Sequence, residues 1–130
     1  MKILIAEDDF ASRKFMLRFL SKHGECDITV DGLEAVEAFR MALEDEEGYD
    51  LVCLDIMMPE LDGYEALRKI RAIEEEMHVS DDKKVKIIMT TALNEYRNVT
   101  KAFDLGCNAY AGKPIDQAKF EQELKKMELI

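Results

Sequence analysis

No stretch of this 130-residue chain approaches the roughly 18 to 20 consecutive apolar residues that a membrane-spanning helix needs. The opening Met1-Lys2-Ile3-Leu4-Ile5-Ala6 is too short for a secretory apolar region and runs straight into acids, which argues against export. Neither half has the basic stripe that sequence-independent binding to phosphate backbones requires, so direct nucleic-acid binding is not expected. The three cysteines, Cys26, Cys53 and Cys107, have no C-x-x-C spacing. An odd number of thiols without an export signal points to a reduced, cytoplasmic chain. His23 and His78 lie 55 residues apart without ligand spacing and read as surface residues. Internal repeats, low-complexity segments and linkers are also missing.

What is present is one domain's worth of core and a surplus of acid. Hydrophobic residues make up 48% of the chain, which is enough to fold. Eighteen Lys and Arg face 28 Asp and Glu, a net charge of −10. The imbalance is uneven: residues 1–66 carry 17 acids and 6 bases, residues 67–130 carry 11 and 12. An acidic half attracts a cation or a basic partner surface.

Short apolar runs alternate with helical patterns. Lys2 to Ala6, Leu51 to Leu54 and Val85 to Met89 read as buried strands, with Cys26 to Val30 and Asn108 to Ala111 as two more. Between them, Phe10, Met16, Leu17 and Leu20 recur at helical spacing, as do Ala35, Val36, Phe39, Ala42 and Leu43. Tyr64, Leu67, Ile70 and Ile73 mark a third helix, about Asn94 to Leu105 a fourth, and Asp116 caps a fifth that buries Phe120, Leu124 and Met127. Glu74 to Lys84 reads as a solvated connection. Five strand–helix units predict an α/β fold: a doubly wound, five-stranded parallel sheet of the flavodoxin-like (βα)5 kind, one domain over 1–130.

In such a sheet the C-terminal strand edges share one crevice, where ligands bind. Glu7, Asp8 and Asp9 follow the first strand, Asp55 the third, Thr90 and Thr91 the fourth and Lys113 the fifth. Taken singly, each has an ordinary explanation: a helix cap for Asp8 or Asp9, a solvated strand end for Asp55, a strand residue for Thr91, a surface lysine for Lys113. Together they put carboxylates, a hydroxyl and an ammonium at one edge. Two carboxylates about 4 Å apart repel by about 4 kcal/mol at an effective dielectric near 20, so the group calls for a cation. Hard oxygens at a partly open site suit Mg²⁺. A carboxylate beside Mg²⁺ and a lysine is equipped to receive a phosphoryl group.

The chain resembles the receiver domains of two-component response regulators, similar to the single-domain chemotaxis type, over its full length. The matching motifs are Ile5-Ala6-Glu7-Asp8-Asp9, Leu54-Asp55-Ile56-Met57-Met58-Pro59 with Asp62-Gly63, Thr91-Ala92 and Lys113-Pro114. The resemblance implies Asp55 as phosphoacceptor, and a Mg²⁺ site of Asp8, Asp9, Asp55 and the Met57 backbone carbonyl. It implies that Thr91 and Lys113 contact phosphoryl oxygens, that Lys113-Pro114 is cis, and that Thr91 and Tyr110 form the switch. Thr91 is preferred to Thr90 because the small Ala92 follows it. On spacing alone Tyr110 is a half-buried strand aromatic. Met57 borders the water route to the acyl phosphate in such proteins. The implied partners are a sensor histidine kinase or histidine phosphotransfer domain and a downstream target protein. The output face would be the fourth helix, fifth strand and fifth helix, and a homodimer of the phosphorylated form stays open.

Four alternatives follow from the same residues. A relay would pass the phosphoryl group to a second histidine domain. A longer transcriptional regulator would use this chain as its receiver part, although the end at the fifth helix favours a stand-alone protein. A flavodoxin-like electron carrier shares the topology, but Glu7-Asp8-Asp9 would repel an FMN phosphate. A phosphoester hydrolase would want a second acid where Met57 stands, so self-catalysed phosphotransfer and dephosphorylation, without substrate turnover, are expected.

Overall fold

The computed structural model describes residues 1–92 and 96–130, and side chains outside 93–98. Its elements follow the alternation in order: β1 (Lys2–Ala6), α1 (Phe10–Leu20), β2 (Glu25–Thr29), α2 (Gly32–Glu44), β3 (Leu51–Asp55), α3 (Gly63–Glu76), β4 (Lys86–Thr91), α4 (Tyr96–Asp104), β5 (Ala109–Gly112) and α5 (Gln117–Lys126). A short 3₁₀ turn, Asp81–Lys83, precedes β4. The expected start of the fourth helix near Asn94 lies outside the described residues.

All strand pairs are parallel and the order is β2-β1-β3-β4-β5. The chain runs outward from β1 to β2 and then returns to the other side of β1 with β3. That reversal opens a crevice between the C-terminal ends of β1 and β3. Strand alternation feeds two cores. Leu4, Ala6, Val52, Leu54, Ile87 and Met89 pack with α2, α3 and the buried Ala102 of α4. Ile3, Ile5, Leu51, Cys53, Ile88 and Ala109 face the other way, onto Met16, Phe19 and Leu20 of α1 and Phe120 and Leu124 of α5. Apolar residues on both strand faces are what a sheet covered on both sides requires.

Two features differ from the sequence reading. Glu74 is the buried last-turn residue of α3, not part of a solvated loop. One oxygen accepts from the Val85 amide (2.7 Å) and the other from Arg71 Nη1 (2.7 Å). Arg71 also donates to the carbonyls of Gly106 and Val85 and to Asn108, closing the base of the sheet. Gly106 there sits at φ +105°, a conformation that L side chains rarely adopt. His23 is half-buried rather than a surface residue, with Nε2 2.7 Å from the Glu121 carboxylate on α5.

Candidate functional site

Parity along the strands decides which polar side chains meet. Glu7 continues the alternation of Ile3 and Ile5, with its amide donating to the Thr29 carbonyl (3.1 Å) as an extension of β1. Asp55 continues Leu51 and Cys53 as the last residue of β3, in register with Thr90. Lys113 continues Ala109 and Ala111, and its amide donates to the Thr91 carbonyl (2.8 Å). Three chain segments thus deliver Glu7, Asp55 and Lys113 to the same side of the sheet edge. Thr91 and Tyr110 have the opposite parity and share the α4 side.

The Lys113 ammonium bridges the two acids, 2.5 Å from Glu7 Oε1 and 3.1 Å from Asp55 Oδ2. Glu7 is fully buried and Asp55 is 4% exposed. Burial, reinforced by the neighbouring Glu7 carboxyl and only partly opposed by Lys113, pushes Asp55 up to about 7. Burial alone would lower Lys113, but Glu7 and Asp55 outweigh it and hold the ammonium above its ordinary range. The Lys113–Pro114 peptide is cis.

Ligand oxygens of Glu7, Asp8 and Asp55 lie within 4.8 Å of one another. Glu7 Oε1 is buried and turned into the cluster, where the Lys113 ammonium is its ion-pair partner. Three hard carboxylates sharing a single lysine fit a divalent cation of the Mg²⁺ type.

The acids brought together differ from the expected set by one residue. Asp9 is not in the cluster: it is the exposed N-cap of α1, with Oδ2 accepting from the Ser12 amide (2.9 Å). Those Ser12 contacts hold its carboxyl below the ordinary range. Glu7 takes its place. The signal lay in the sequence: Asp9-x-x-Ser12 at the start of a helix spends its carboxylate on capping, while an acid abutting a buried strand is buried with it. Arg13, also unremarked in the sequence, donates to the Glu7 carbonyl (3.1 Å) and steadies the loop.

Around this centre, Gly63 opens α3 so close to β3 that a Cβ there would fall 2.4 Å from the Asp55 carbonyl oxygen. The Asp62 side chain caps α3 through the Glu65 amide. Met57 is exposed, its amide 3.3 Å from Asp55 Oδ1. Thr91 is fully buried, and its hydroxyl hydrogen-bonds the half-buried Tyr110 phenol. Thr90 turns its hydroxyl to the Leu54 carbonyl (3.5 Å).

An open parallel α/β sheet with an acid and lysine crevice at its switch point defines the class. Residues 3–125 match the family "Response regulator receiver domain", and the chain belongs to that family. It is 33% identical over 120 residues to chemotaxis protein CheY of Treponema pallidum, covering 91% of this chain and 76% of that one. It is 32% identical over 126 residues to hybrid signal transduction histidine kinase L of Dictyostelium discoideum, covering 96% of this chain but 7% of the kinase. Among solved structures it superposes on the Saccharomyces cerevisiae Ssk1 receiver domain, crystallised with the histidine phosphotransfer protein Ypd1. The TM-score is 0.82 at 28% identity, with 100% and 92% of the two chains covered. A sensor histidine kinase receiver domain of Pseudomonas aeruginosa PAO1, with magnesium in its active-site cleft, aligns at TM-score 0.76 and 28% identity, covering 96% and 94%. The chain is therefore a receiver domain of two-component signalling. No helix among the described residues is long and apolar enough to cross a membrane.

Proposed function

We propose that this receiver domain is a phosphorylation-activated switch in which Asp55 accepts a phosphoryl group from a histidine of a sensor kinase or histidine phosphotransfer domain. The observation that carries this reading is the Lys113 ammonium held between Glu7 and Asp55 beside Asp8. An Asp55 oxygen attacks phosphorus, the P–N bond of the phosphohistidine breaks, and the imidazole leaves with the electron pair. Glu7, Asp8, Asp55 and the Met57 backbone carbonyl would hold Mg²⁺, with Glu7 replacing Asp9 in the expected set. When bound, the ion neutralises the acids and the charge that develops on the transferring group.

Lys113 then exchanges its carboxylate contact for a phosphoryl oxygen, and the Thr91 hydroxyl leaves Tyr110 for another. The added charge of about −1.5 to −2 brings three acceptor oxygens, enough to redirect both donors. Tyr110, without its partner, moves toward the space beside Thr91. The face of α4, β5 and α5 changes its population of arrangements and engages a downstream target protein. The chain catalyses its own phosphorylation and dephosphorylation and turns over no other substrate. The switch works in the cytoplasm, where Cys26, Cys53 and Cys107 stay reduced. A relay to a second histidine domain is the alternative output for the same chemistry.

Incubation with a small acyl phosphate and Mg²⁺, followed by intact mass, tests this reading. One added phosphate is expected, lost in Asp55→Asn and on chelation of the metal. A label that persists in Asp55→Asn moves the acceptor elsewhere.

A further inference from the structure

Tyr64 occupies a position that the chemistry at Asp55 leaves unexplained. It is the second residue of α3, directly after Gly63, whose amide donates to the Ile56 carbonyl (2.9 Å) and whose Cα packs on the Asp55 backbone. That contact fixes Tyr64 to the end of β3. Its ring is 9% exposed, and the Lys101 ammonium of α4 sits 4.3 Å above the ring centroid. The neighbouring Ala102 is fully buried in the same cluster as Tyr64 and Met89. The Ala102 methyl and the Lys101–Tyr64 cation–π contact both join this turn of α4 to the α3 side. Tyr64 also lies close enough to Tyr110 to raise its phenol's pKa, behind the larger effect of burial.

In this arrangement the Thr91 hydroxyl is engaged by Tyr110, the resting side of the switch in the reading above. We propose that Tyr64 is a positioning residue of that switch: its ring, anchored to the Asp55 backbone, holds the Lys101 ammonium and keeps α4 in its resting place. The inference rests on the phosphoacceptor reading above. When Thr91 turns to a phosphoryl oxygen and Tyr110 moves, the surface beneath α4 changes, and Lys101 leaves the ring as α4 follows. An exposed cation–π contact of about 0.5–1 kcal/mol corresponds to a two- to fivefold bias between arrangements. A ligand that selects the active arrangement binds more tightly by that factor once the contact is gone.

The test is a beryllofluoride titration in Mg²⁺, followed by amide NMR, on the whole chain. Lys101→Met, at an exposed position, should tighten the apparent affinity two- to fivefold, and Lys101→Arg should restore the original value. Tyr64→Leu should tighten it similarly, and adding Lys101→Met to Tyr64→Leu should change nothing further. An unchanged or weaker affinity in Lys101→Met overturns the inference, as do fully additive effects in the double variant. Loss of beryllofluoride binding in the unmodified chain would instead refute the phosphoacceptor reading, and this inference with it.

Discussion

Lys113 Nζ lies 3.1 Å from Asp55 Oδ2, although 58 residues separate them and a second acid, Glu7, shares the same ammonium. The pairing joins the ends of β5 and β3 across β4. It leaves two buried carboxyls with one cation, an arrangement poised for added positive charge rather than for stability.

Asp55→Asn should therefore stabilise the metal-free protein. The Asp55 carboxyl is raised from 3.8 to about 7, so its contribution to stability is fully present below about pH 4 and lost as pH rises through 7. Three units correspond to at most about 4 kcal/mol, a ceiling that already contains the opposing pull of Lys113. Urea unfolding in EDTA should show the Asn variant gaining on the parent between pH 4 and 7. A constant difference across that range would contradict the shift.

The acids of the first loop should separate into two classes. Asp8→Asn should weaken Mg²⁺ binding at least tenfold, in line with about 1.4 kcal/mol or more of lost interaction, while leaving unfolding in EDTA nearly unchanged. Asp9→Ala should do the reverse, costing about 1 kcal/mol of helix capping with Mg²⁺ affinity retained. Calorimetric metal titration beside urea unfolding distinguishes them.

How far the sequence carries is visible in these residues. The strands were legible because Leu51-Val52-Cys53-Leu54 and its counterparts are apolar on both faces, and the crevice followed from topology. The choice between Glu7 and Asp9 turned on which carboxylate the Ser12 amide consumes, a contact that depends on where α1 begins. Glu74 was illegible for a different reason. Inside Glu74-Glu75-Glu76 nothing local separates a buried acid from two exposed ones, because its partners, Arg71 and the Val85 amide, are supplied by tertiary packing.

That buried pair makes Arg71 a stability residue far from the site. Arg71→Ala strands the Glu74 carboxylate and frees the carbonyls of Gly106 and Val85, and should cost about 3–5 kcal/mol. Glu74→Gln in the same background should recover part of that loss. Urea midpoints for the single and double variants check both values.

Three helices end on a non-glycine residue in the left-handed region: Glu46 after α2, His78 after α3 and Glu128 after α5, with φ of 58°, 56° and 61°. His78→Gly should stabilise by about 0.5–1 kcal/mol, since glycine takes this cap without steric penalty. A rise in melting temperature with unchanged Mg²⁺ affinity is expected.

The most direct test of Asp55 as phosphoacceptor is chemical. Borohydride reduces an aspartyl phosphate to homoserine, and trypsin releases residues 41–68 as one peptide whose fragmentation resolves Asp45, Asp50, Asp55 and Asp62. After treatment with acyl phosphate and Mg²⁺, homoserine is expected at position 55 alone. Homoserine at Asp8, Asp9 or another aspartate, with position 55 unmodified, would contradict it.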